Sequence, residues 1–161
     1  MFSFFKKSPK DNNLMHEDLA RMFYEEKENP IYLLDFLMAE KLDYSLESLK
    51  HVDEYLEQLY KNQPSDDELL KITLRTGSYV GEVIRKNTKE PFVWLNYEEA
   101  TKINSSLTDF GENLGTVGML WSKPDSFIFP LAKILKFIEN GNEDSVHSFA
   151  NVAIAGMLTN T

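Results

Sequence analysis

The chain has 161 residues, 42% of them apolar and 12% aromatic, with no cysteine and a net charge of −9 from 26 acids against 17 bases. That composition excludes thiolate chemistry and a disulfide framework, and it lacks the basic excess that a nucleic-acid backbone requires. A chain of this length hides roughly 70% of its unfolded surface in one core, so a single α+β domain over residues 13–161 is expected, after a flexible tail over residues 1–12.

The tail, Met-Phe-Ser-Phe-Phe-Lys-Lys, sets phenylalanines beside lysines and offers weak contact with a membrane surface. It is too short for a signal-peptide core or a membrane span. A first helix then runs from Asn13, as cap, to about Lys27, with Met15, Leu19, Met22 and Phe23 on its inner face. Asn29-Pro30 stops it. Ile31 to Lys41 reads as a short buried helix, or as a strand through Ile31–Phe36, because a short apolar run fits both. Ser45 caps a second helix, Leu46 to Asn62, whose core stripe is Leu46, Leu49, Val52, Leu56 and Leu59. His51 and Tyr55 stand at its boundary. The short turn at Asn62-Gln63-Pro64 predicts that this helix and the next pack as antiparallel neighbours.

That next segment, Ser65 to Asn87, is the expected centre of the fold. Ser65 caps it, Glu68 completes a capping-box pattern, and Asp66 and Asp67 complement the positive helix end. Leu70, Leu74, Gly77, Gly81 and Ile84 fall on one stripe, and Leu69, Ile72, Thr76, Val80 and Val83 on the adjacent one. The apolar arc is wide enough to need neighbours on two sides. Lys71, Arg75, Ser78, Glu82 and Lys86 make the expected solvent face, with Glu82 and Lys86 a favourable pair four residues apart. Gly77 and Gly81 each cost about 1 kcal/mol against alanine, which close approach of another element would offset. The alternative, a phosphate-cradling loop at Gly77-Ser78-Tyr79-Val80-Gly81, lacks a preceding strand and matches neither a dinucleotide fingerprint nor a P-loop.

After Asn87, Pro91–Leu95 reads as a strand and Tyr97–Leu107 as a weak helix or a long loop. Thr116–Trp121 and Ser126–Phe129 form a hairpin about the turn Ser122-Lys123-Pro124-Asp125, and Phe92–Leu95 adds a third strand. Pro130 opens a helix over Leu131–Glu139 that Asn140-Gly141 closes. Asn142 caps the last helix, with Val146, Phe149, Val152, Ala153, Ile154 and Met157 on its apolar face. The predicted fold is therefore helix-rich α+β: five or six helices and a small antiparallel sheet, with a hairpin at about 116–129 and a third strand at 92–95.

Three segments carry a resemblance: Leu42-Asp43-Tyr44-Ser45-Leu46-Glu47-Ser48-Leu49, Gly77-Ser78-Tyr79-Val80-Gly81-Glu82-Val83-Ile84-Arg85, and Phe129-Pro130-Leu131-Ala132-Lys133 with Asn140 to Ser145. Together they resemble a group of small bacterial domains of no established activity. The resemblance spans about residues 42–150 and implies the same order of helix, glycine-notched helix, hairpin and final helix pair, in a bacterial cytosolic protein. It implies no catalytic residues.

Candidate chemistry is sparse. Glu143, Asp144 and His147 lie within one helical turn, and His16, His51 and His147 sit on three expected helices. No histidine-carboxylate motif supports a metal there, and no cofactor is expected. Glu82 and Arg85 flank the glycine notch and can line a pocket mouth, although the face pattern favours a solvated ion pair. No nucleophile elbow is present, and Ser45 and Ser65 are explained as caps. Trp94, Trp121, Phe127 and Phe129, with Tyr79 and Tyr97 near them, suit core packing. A protein-binding patch is the alternative if Trp94 or Trp121 is exposed. The sequence thus points to a non-enzymatic bacterial cytoplasmic module that binds another protein through an acidic face or the hairpin, with a basic partner favoured by the charge. Its candidate contact residues are Glu82, Arg85, Trp94 and Trp121. The alternative is an enzyme or small-ligand binder with a pocket between the helix 65–87 and the sheet.

Overall fold

Thirteen consecutive residues of the central helix, Ile72–Ile84, are buried, so this helix is covered on every side along its middle. A computed structural model describes residues 9–156 and places around it α1 (Pro9–Glu25), α2 (Ser48–Lys61), the central helix α3 (Asp66–Asn87), β1 (Val93–Asn96) and α4 (Tyr97–Ile103). β2 (Gly118–Ser122), β3 (Ser126–Ile128), α5 (Pro130–Asn140) and α6 (Val146–Ile154) complete the helix-rich α+β fold. Ser65 caps α3 by accepting from the Glu68 amide at 3.3 Å. A full capping box forms instead at Asn96 and Glu99, which turns the end of β1 directly into α4.

The three strands are antiparallel in the order β1-β2-β3, with Trp94 opposite Leu120 and Leu120 opposite Ile128. Those three side chains face the helices and join the main core. Alternation sends Leu95, Met119, Trp121 and Phe127 to the other face, where Ala100 and Leu107 cover part of it.

α3 packs against α1, α5 and α6, while α2 packs chiefly on α5 and α6. The expected pairing of α2 with α3 is thus loosened, and an aromatic wedge explains it. Phe23 of α1 lies between the two helices, 5.7 Å from the Tyr55 ring and 5.6 Å from the Tyr79 ring. The glycine notch of α3 receives α5 and the sheet instead. Leu131 fills the space at Gly77, and the Trp94 indole fills the space at Gly81.

Several boundaries differ from the expected ones. α1 begins at Pro9 rather than Asn13, so residues 9–12 belong to a helix and not to a tail; residues 1–8, with the Phe/Lys membrane-surface reading, lie outside the described residues, as does Met157. Ile31–Lys41 is neither helix nor strand. Leu33 adopts a left-handed φ of 56°, and only the short 3-10 turns Leu34–Phe36 and Ala39–Lys41 form. Its apolar residues run consecutively and suit no single helix face. The Tyr32 carbonyl is held by the Tyr55 hydroxyl at 2.6 Å, which leaves Tyr55 buried rather than at the boundary. α6 is capped by Ser145, not Asn142. Asp53 of α2 reinforces that cap by accepting from the Ser145 hydroxyl and the Val146 amide, both at 2.7 Å.

A Cβ at Gly81 would overlap the rigid Trp94 ring, whereas at Gly77 it would meet mainly the movable end of Leu131. Gly81→Ala should therefore destabilise by about 3 kcal/mol and Gly77→Ala by about 1 kcal/mol less. Urea denaturation of both variants checks the order.

Candidate functional site

The early start of α1 places Asn13 inside the helix, where its Oδ1 accepts the Trp94 amide of β1 at 2.8 Å. This bond anchors the free edge of the sheet to α1 and fixes where the indole goes. Trp94 is fully buried on Gly81, and its Nε1 donates to Glu82 Oε2 at 2.9 Å. Arg85 Nη1 donates to the same oxygen at 2.8 Å, and Arg85 Nε donates to the Phe92 carbonyl at 3.0 Å. Glu17 of α1 lies 3.5 Å from the same guanidinium nitrogen.

The expected solvent face of α3 is therefore largely interior. Arg75, Ser78 and Glu82 are buried, with Glu82 only 2% exposed. Each has a partner reached across the fold: Arg75 donates to the Asn29 carbonyl at 2.8 Å, and Ser78 Oγ lies 2.8 Å from His16 Nδ1. The expected Glu82–Lys86 pair is replaced by Glu82–Arg85, one residue nearer in sequence. Only Lys86 of the five is exposed, and Lys71 is intermediate. α1 and Asn29 in the segment after it supply the covering groups, which a periodicity count within α3 does not reveal.

His16 is fully buried and stacks on the Trp94 indole, with ring centroids 3.8 Å apart and planes at 12°. Burial, helped by the nearby Arg85 charge, lowers its pKa from 6.5 to about 3. It lies behind Trp94, so it packs the cluster without lining the adjacent hollows.

Those hollows open along α1. One, of about 210 Å³, is bounded by Glu17, Arg21, Tyr24, Tyr44, Glu82 and Lys86. A second, of about 410 Å³, shares Glu17, Glu82 and Lys86 with it and extends past Arg85 to Phe92 and Val93. A third, of about 450 Å³, shares Arg21 with the first and continues past Asp18 to Glu25 and Glu26. The first two share a wall and form one trough, and the third lies on α1 and the residue after it, meeting the first at Arg21.

Tyr44 forms a rigid wall of that trough. Its φ is 65°, a left-handed value that costs a bulky residue energy. Three bonds hold it there. Its amide donates to the Tyr79 hydroxyl at 3.0 Å, Asn87 Nδ2 donates to its carbonyl at 2.8 Å, and the Tyr24 hydroxyl donates to its own at 3.1 Å. Burial and the Tyr24 hydroxyl push the Tyr44 phenol upward, and burial pushes Tyr79 up to about 12. The Lys86 ammonium lies 5.2 Å from the Tyr44 ring centre.

Three of the four candidate residues, Glu82, Arg85 and Trp94, meet in one hydrogen-bonded cluster. Trp121 does not. It sits half-buried on the opposite sheet face, opposite Phe127 of β3 and beside the cluster of Leu95, Ala100, Leu107 and Met119. Glu17, Arg21, Tyr24, Tyr44 and Lys86 were not legible as site residues, because three separated segments bring them together. The i, i+3 spacing of Glu82 and Arg85 was the one local signal. His51 stands 3.9 Å from Glu54, His147 stands 3.8 Å from Glu47, and Asp144 bonds Lys133 at 2.8 Å. Among the described residues no group of three or more histidines and carboxylates is placed to hold a metal ion.

No protein-family model matches the chain, and neither the curated proteins nor the solved structures contain a match to it.

His16 has a sign-definite consequence. Its folded pKa lies below the unfolded value, so its contribution is intact above pH 6.5 and is lost as pH falls toward about 3. Between pH 6.5 and 5, where carboxylates stay ionised, unfolding free energy should fall by up to about 1.4 kcal/mol per pH unit. His16→Gln should flatten that slope in urea titrations repeated across this range.

Proposed function

We propose that the chain is a non-enzymatic module of the bacterial cytoplasm that binds a basic segment of another protein along the α1–α3 trough. The observation that carries this reading is the trough's charge and shape. Glu17, Glu82 and Glu90 line it, and Asp18, Glu25 and Glu26 line the hollow that meets it at Arg21, against Arg21, Arg85 and Lys86. An extended peptide fits an open channel of this kind better than an enclosed substrate does. The net charge of −9 adds long-range attraction for a basic partner. No helix among the described residues is long and apolar enough to cross a membrane.

A small-ligand pocket between α3 and the sheet is the second reading. The hollow bounded by Arg85, Phe92 and Val93 favours it. The arrangement offers little to catalysis: Glu82 is neutralised by Arg85, and His16 is enclosed.

The test is a calorimetric titration with a synthetic peptide of alternating lysine and serine. Reversing Glu17, Glu25 and Glu26 to lysine should weaken binding by about tenfold or more. Reversing Glu112, Glu139 and Glu143, which are exposed and outside the trough, reaches the same net charge and should weaken it far less. Equal losses in the two triple variants would reduce the effect to net charge and remove the trough from the proposal.

A further inference from the structure

The floor of the trough holds a buried carboxylate with one oxygen still open to a donor. Arg85 and Trp94 both donate to Glu82 Oε2, and Oε1 receives no hydrogen bond among the described residues. Glu82 lines both of the hollows that meet there, although it is 2% exposed. Oε1 is reached from the hollow rather than sealed off, so an ammonium there would exchange a water contact for a charge-assisted hydrogen bond.

Two further observations say which donor suits the place. Tyr24 and Tyr44 wall the smaller hollow, and Tyr44 is locked in a left-handed backbone conformation by bonds to Tyr79, Asn87 and Tyr24. Such a held conformation is characteristic of ligand clamps. In addition, the chain's own Lys86 already places an ammonium over the Tyr44 ring. The wall thus accepts a cation, and the cation now on it comes from an exposed, flexible side chain.

We propose that this hollow is the anchor pocket for one lysine side chain of the partner. Its ammonium donates to Glu82 Oε1, its stem lies along the Tyr44 ring beside the Tyr24–Tyr44 contact, and Lys86 swings off the Tyr44 ring to admit it. The proposal rests on the trough being the binding face and adds a single specific subsite to it. Trp94 Nε1–H, bonded to the other oxygen of the same carboxylate, is a built-in reporter, and the Trp121 indole on the opposite sheet face is its control.

The experiment follows both indole N–H resonances in labelled protein. It uses a short neutral peptide with one central lysine, the same peptide with norleucine, and free N-acetyl-lysine amide. The lysine peptide should shift the Trp94 signal saturably and leave Trp121 in place, and the norleucine peptide should shift neither. The free amide should bind more weakly than the peptide; equal affinity would overturn the assignment to a protein side chain in favour of a small amine. Lys86→Ala removes the internal competitor and should tighten the lysine peptide by about two- to fivefold, whereas Arg21→Ala should not match it. Glu82→Gln should weaken it by about tenfold. If Glu82→Gln fails to fold, the Lys86→Ala comparison still decides. Equal effects of Lys86→Ala and Arg21→Ala, with no Trp94 shift, would overturn the anchor pocket. The trough reading would survive that result if the lysine–serine peptide still discriminated between the two triple variants.

Discussion

The Glu82 carboxylate, held between an indole N–H and a guanidinium, is the interaction on which the rest of the structure depends. A helix buried on every side must hide its polar stripe as well as its apolar ones, and an unpaired buried carboxylate costs several kcal/mol. Trp94 and Arg85 meet that cost together. In doing so they fix the sheet against α3, because the indole can reach Glu82 only by lying across the Gly81 notch. The same arrangement repeats more weakly along the stripe, with Ser78 matched to His16 and Arg75 to the Asn29 carbonyl. Covering the fourth side of α3 is the task of α1, and the trough exists where that cover ends.

Much of the architecture was legible in the sequence. The cap at Ser65, the length of the central helix, the two glycines as a notch and the three short strands all follow from local rules that the fold respects. Each depends on residues within a few positions of one another. The turn at Ser122–Asp125 and the left-handed Gly141 that ends α5, with φ at 86°, belong to the same class.

The departures on α3 share one physical origin. Periodicity groups Lys71, Arg75, Ser78, Glu82 and Lys86 on one stripe, but it says nothing about whether another element covers that stripe. The covering groups, Asn13, His16 and Glu17, lie more than sixty residues away from their partners in sequence. Ile31–Lys41 departs for a different reason. A run of consecutive apolar residues has no face, so tertiary bonds such as that from Tyr55 to the Tyr32 carbonyl decide its path. Tyr44 was invisible as a site residue because its role comes from backbone conformation, and nothing in the type or spacing of its neighbours signals a tyrosine at positive φ.

The partnership of α1 with β1 also bears on how the chain is made. Asn13 bonds the backbone of Trp94, and Asn12 Nδ2 donates to Glu99 at 2.6 Å. During synthesis α1 precedes every described element it packs on: Tyr55 and Tyr79, which meet Phe23, and then Trp94, which meets His16 and Asn13. Until those partners are made, its inner side, with Phe23 and His16, is uncovered. Translation therefore leaves an amphipathic segment without its packing partners until the later helices and the strand are made.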